Sequence, residues 1–147
     1  MGVIYSKVKA FTRKYPGGIS WRLKKHCEVA EQHINDDELV IFAFPGQKND
    51  HFLHFFSTCV VVLTNHRILI GQKNLIFGYN LISITPDLFN DLSVRQGLIW
   101  GKAVIDTVKE EVVLTNLDKH CLPEIETNIT QNMMDQKKCY MSRRDNQ

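Results

Sequence analysis

Six histidines and four cysteines are the residues of this chain best suited to metal or nucleophilic chemistry. His51 and His54 form an H-x-x-H pair beside Asp50. A closed zinc site takes four ligands, commonly two such pairs. No second His pair and no C-x-x-C pair completes this one, so no metal and no cofactor is expected. Cys27 falls on the apolar stripe of an expected helix, and Cys59 lies within an apolar strand. Both read as small buried hydrophobes rather than nucleophiles. The chain has no G-x-S-x-G, H-E-x-x-H or P-loop signature. Its chemistry is that of a non-enzyme.

Charge is the second resource. The net charge of +2 hides an asymmetry. The first 25 residues hold Lys7, Lys9, Arg13, Lys14, Arg22, Lys24 and Lys25 and no acid. The middle is acidic, and Lys137, Lys138, Arg143 and Arg144 make the other end basic. The seven N-terminal cations are the candidate contacts for an anionic surface. Nucleic acid is the weakest candidate for that surface, since the middle is acidic and no DNA- or RNA-binding motif occurs.

Two helices must position these cations. Ile4, Val8, Phe11 and Tyr15 recur at helical spacing over residues 1–15, and Pro16-Gly17-Gly18 ends the run. Such a stripe either packs on its parent domain or lies on a membrane. Ser20 is placed to cap a second helix over 21–34, with Leu23, Cys27, Ala30 and Ile34 on one face. The period then changes. Strands are expected at 38–44 (closed by Pro45-Gly46), 54–64, 67–72, 79–84, 91–96, 99–107 and 110–115. Helical spacing returns with Leu117, Cys121, Ile125 and Ile129. Asn116 could cap this helix. Pro123 is tolerated only in a first turn, so the helix is expected to begin near Leu122 after an irregular lead-in. From Gln136 the chain is polar and reads as a frayed tail.

The centre of the pattern is CVVVL (59–63) and ILI (68–70) around Asn65-His66, a two-residue break of hairpin length. Asn tolerates the positive φ that favoured hairpin turns need. The sequence Leu63-Thr64-Asn65-His66-Arg67 resembles the hairpin between the second and third strands of bacterial pleckstrin-homology (PH-like) domains. Those domains often carry Leu-Thr-(Asn/Asp)-x-Arg there. The order of seven short strands and a closing amphipathic helix is similar to theirs as well.

The resemblance implies an α+β, mainly β fold. It is a PH-like seven-stranded, partly open barrel of two antiparallel sheets, capped by a C-terminal helix. This domain would occupy residues 38–134, with a basic helical extension at 1–37 and a disordered tail at 135–147. Leu63, Thr64, Asn65 and Arg67 would serve the hairpin, with Arg67 bonding a nearby carbonyl or carboxylate. The implied function is a non-enzymatic binding or scaffolding module in a bacterial cytoplasm, with a protein partner or a second copy of the chain bound to it. The alternative is a peripheral module at the inner face of the membrane, held by the basic N-terminal helices. Related eukaryotic domains bind phosphoinositides with clustered Lys and Arg around the first two strands. Here the corresponding loop, 45–51, offers only Lys48 beside Asp50, which argues against inositol-phosphate recognition.

Overall fold

The computed structural model describes residues 2–48 and 57–147. Two helices, α1 (Val3–Lys14) and α2 (Leu23–Glu31), precede seven strands. These are β1 (Val40–Lys48), β2 (Thr58–Thr64), β3 (Ile68–Lys73), β4 (Tyr79–Ile84), β5 (Phe89–Gln96), β6 (Trp100–Thr107) and β7 (Glu111–Asp118). A 3₁₀ turn, Lys119–Cys121, leads into α3 (Leu122–Asp145).

All neighbouring strands are antiparallel. Their order is β4-β3-β2-β1-β7-β6-β5, curled into a half-barrel. The two expected sheets are therefore one continuous sheet, joined where β1 meets β7. Among the described residues β1 and β7 pair at Gln47↔Thr115 and Lys48↔Leu114. Pro45 and Gly46 lie within β1 rather than ending it. Pro45 pairs with Val60 on the β2 side. On the β7 side it lies outside the paired rows, where its missing N–H leaves no ladder bond unmade.

The uninterrupted run in β2 has a direct cause. Every residue from Thr58 to Thr64 is buried, because both faces of the strand are covered. Cys59, Val61 and Leu63 face the concave core with Phe44, Ile68, Ile70, Phe89 and Ile105. The α3 residues Leu122, Ile125, Ile129 and Met133 close that core. Val60 and Val62 face outward, where Ala43 and Leu69 join Ile4, Val8, Cys27 and Ala30 of the first two helices. The apolar stripe of α1 is thus packed on the sheet. The approach of α2 is close enough that a Cβ on Gly71 would stand 3.2 Å from the Ala30 nitrogen and 3.3 Å from the His26 carbonyl oxygen.

Several local expectations are corrected. Ser20 does not cap α2; Arg22 stands at the N-cap in a left-handed conformation. Asn116 does not cap α3 but sits in β7 at φ 57°. There β7 carries one extra residue against β6, between the pairs Gly101↔Leu117 and Ala103↔Leu114. Asn tolerates the left-handed backbone of such a bulge. Asp118 caps the 3₁₀ turn ahead of α3, accepting the His120 N–H at 2.9 Å, and α3 itself, with Cys121 at its N-cap, has no side-chain cap. Pro123 falls in the first turn of α3. The helix then continues through the expected tail to Asp145. Gln136 donates to the Thr64 carbonyl at 2.8 Å and Lys137 to the Phe89 carbonyl at 2.8 Å. These bonds dock a segment whose own sequence offers few apolar contacts.

Candidate functional site

The β2–β3 turn is held by side chains. The Thr64 hydroxyl accepts the N–H groups of His66 and Arg67, each at 3.1 Å. Asn65 does not use a positive φ, since only Arg22 and Asn116 do so among the described non-glycine residues. Its side chain instead accepts the Leu39 N–H at 2.8 Å, and its own N–H reaches the Leu39 carbonyl. Arg67 donates from Nη2 to Glu38 at 2.6 Å and to the His33 carbonyl at 2.8 Å. Its Nη1 reaches Ser83 at 3.1 Å. The Glu38 side chain is 0 % exposed and that of Arg67 only 19 %. Burial alone would raise the Glu38 carboxyl pKa. Hydrogen bonds from Arg67, Thr64 and Asn35, with the charge of Arg67, outweigh burial and hold it below the usual carboxylate range. These groups are occupied within the fold.

The turn forms one wall of an open cleft of about 490 Å³. Asn65 and His66 line one side, Thr85 and Pro86 of the β4–β5 corner another, and Gln136, Tyr140 and Arg143 of α3 the third. The Gln136 Oε1 is shut off from solvent and has no hydrogen-bond partner among the described residues. The α3 contribution was missed in the sequence because it falls in the expected tail. Its signal was the i, i+4, i+7 spacing of Gln136, Tyr140 and Arg143.

The seven N-terminal cations are divided between two helices. Lys7 and Lys14 line one shallow groove on α1 with Phe42 and Glu124. Lys14 pairs with Glu124 at 3.0 Å, and the Tyr15 hydroxyl bonds the same carboxylate. The Tyr15 bond, against a burial cost, and then Lys14 keep that carboxyl below its ordinary range. Lys9 lies 5.6 Å from the Tyr5 ring centre, and Arg13 is exposed. On α2 and its N-cap, Arg22 stacks on Trp21 at 5.7 Å, while Lys24 and Lys25 are exposed.

Burial pushes the Cys27 and Cys121 thiols up to about 12, far from the range of reactive thiolates. No group of three or more His, Cys, Asp or Glu converges among the described residues. His51 and His54 lie outside them. Among the described residues no helix is long and apolar enough to cross a membrane. The exposed apolar side chains include two hairpin tips, Leu75-Ile76-Phe77 between β3 and β4 and Leu98-Ile99 between β5 and β6.

No curated protein matches the chain. A solved structure similar to it is that of a DUF1696 family protein with a pleckstrin-homology domain from Shewanella loihica PV-4. The two are 10 % identical with a TM-score of 0.44, over 88 % of this chain and 92 % of that one. The family model described as the bacterial PH domain matches residues 34–131. That match spans the Glu38–Arg67 pair, the Leu63–Arg67 hairpin, all seven strands and the first turns of α3. The chain belongs to the bacterial PH domain family.

Proposed function

We propose that this protein is a non-catalytic interaction module that receives a segment of a partner protein in the cleft between the β2–β3 turn and α3. One observation carries the reading: an open cleft of about 490 Å³ beside the β2–β3 turn is lined by Tyr140 and Arg143 of α3. Tyr140 adds apolar area with a polar tip, and Arg143 adds a charge-assisted donor, the residue types on which interfaces rely. The rest of the polar chemistry near the turn is already paired, which favours binding over reaction. The reading places the protein in the cytoplasm, where its free cysteines stay reduced.

A photo-crosslinking side chain at Tyr140, in cells of the source organism, tests the reading. The expected result is one discrete adduct, absent when the same probe stands at Lys102 on β6. No adduct from Tyr140, or the same ladder from both positions, refutes the cleft as the binding site.

A further inference from the structure

The basic helix α1 cannot insert its apolar stripe into a bilayer, because Ile4 and Val8 are fully buried in the outer core. An apolar surface open to a second phase is the β3–β4 tip. Leu75, Ile76 and Phe77 are 55, 77 and 85 % exposed and adjacent in sequence. The turn that carries them is closed by the Asn74 N–H on the Gly78 carbonyl at 3.1 Å and by Gly78 at φ 72°. Only glycine takes that backbone readily. The three side chains therefore project from a hydrogen-bonded convex tip.

The segment that carries this tip has charge of one sign. No acid occurs between Arg67 and Asp87, and Lys73 stands at the base of the tip. The orientation of α2 adds more cations. Gly71 lies against Ala30 and His26. Two residues nearer the tip, the Lys73 N–H donates to His26 Nδ1 at 2.8 Å. Thus α2 runs against β3 with its N-terminal end toward the tip. That end carries Lys25 and, one turn before His26, Arg22. The first acid in the chain is Glu28.

We propose that the β3–β4 tip is a wedge for an anionic lipid surface, with Leu75, Ile76 and Phe77 entering the interface and Lys73, Arg22 and Lys25 meeting the headgroups. Apolar side chains transferred from water gain by burial, and cations near an anionic leaflet gain by attraction. A second copy of the chain fits the tip less well. In a two-fold contact each basic collar would face its own like charge. The wedge also leaves the protein-binding cleft free. The cleft meets β3 at its start, by Asn65 and His66, and the tip lies beyond its end at Lys73. A six-residue strand separates them by roughly 20 Å.

Flotation of the full chain with vesicles tests this. The vesicles are phosphatidylcholine alone, or three parts phosphatidylcholine to one part phosphatidylglycerol, at low and high salt. Binding is expected to the anionic vesicles and to weaken with salt. The double substitution Ile76→Ser/Phe77→Ser is expected to lower partitioning at least tenfold. Lys73→Gln, Arg22→Gln and Lys25→Gln each lower it about fivefold on anionic vesicles. Leu98→Ser/Ile99→Ser, on the other apolar tip, is expected to change it less than twofold. Matching wild-type thermal unfolding in the tip variants, whose side chains are exposed, shows that they remain folded. Three results overturn the proposal: no wild-type binding to anionic vesicles at low salt, full binding by the tip variant, or equal loss from either tip. A concentration-dependent dimer abolished by the tip variant, without vesicle binding, would assign the tip to self-association and overturn it too.

Discussion

Replacing Glu38 by Gln isolates the worth of the buried pair with Arg67. In the native protein the Glu38 carboxylate takes Arg67 Nη2 at 2.6 Å, Arg67 Nε at 3.1 Å and the Thr64 hydroxyl at 2.8 Å. Glutamine keeps the shape and one acceptor oxygen but removes the charge. Arg67 then stays largely buried against a carbonyl and a hydroxyl. Breaking one side of a buried pair costs about 3–5 kcal/mol. The residual acceptors and the partial exposure of Arg67 reduce this to roughly 2–3 kcal/mol. At this chain length each kcal/mol lowers Tm by about 2–4 °C, so a fall of about 5–10 °C is expected. The opposite change, Arg67→Met, is expected to cost more, because it leaves a fully buried carboxylate. Urea unfolding at pH 7 measures both through the midpoint at constant slope. The pH dependence follows from the lowered Glu38 pKa. Between its folded value and the ordinary value of about 4.3, the unfolded chain binds more protons, so stability falls as pH falls. The gap between wild type and Glu38→Gln should therefore narrow below about pH 4.3. A gap below about 1 kcal/mol at pH 7, or one that widens with acid, would refute the reasoning.

Two further expectations test the outer layer. Gly71→Val places a branched side chain where even a Cβ meets backbone at 3.2 Å; a loss of about 1–3 kcal/mol is expected, with hydrogen exchange rising first in α2. Unchanged stability would mean that α2 can yield. His26 is held down to about 4 by burial and then by Arg22, against a hydrogen bond to the Trp21 backbone. Its folded pKa lies below the unfolded value of about 6.5, so its contribution is full above pH 6.5 and erodes toward pH 4, by roughly 3 kcal/mol in all. Thermal unfolding at pH 7 and 5 should show a drop that His26→Asn largely removes. An equal drop in both proteins would assign the acid sensitivity elsewhere.

The strand count and the hairpin at 65–66 were legible because period-two patterns and turn residues are local signals. What eluded the sequence depends on partners far away in the chain. Pro45 reads as a breaker, and only its place outside the β1–β7 pairs explains why it sits inside a strand. The second half of α3 reads as a tail because its anchors, the carbonyls of Thr64 and Phe89, are 72 and 48 residues distant. Arg67 announces that it needs an acceptor. Its sequence does not say that the acceptor is Glu38, a residue that opens the first expected strand. The basic face of α1 was legible as charge, but its division was not: Lys14 is claimed by Glu124, 110 residues away.

The double-sided burial of β2 has a consequence for how the chain becomes a protein. A run of Cys, three Val and Leu without a charge is a segment prone to pair with its own copies when bare. The cover of its outward face, α1 and α2, lies N-terminal to the family match at 34–131. A ribosome delivers those helices before the strand they cover, so the outer face of the sheet can meet its lid as it forms. A chain started at Glu38 would instead emerge with Ala43, Val60, Val62 and Leu69 bare. The N-terminal helices are thus the cover of that outer face, and a truncation meant to release the PH unit would leave it bare.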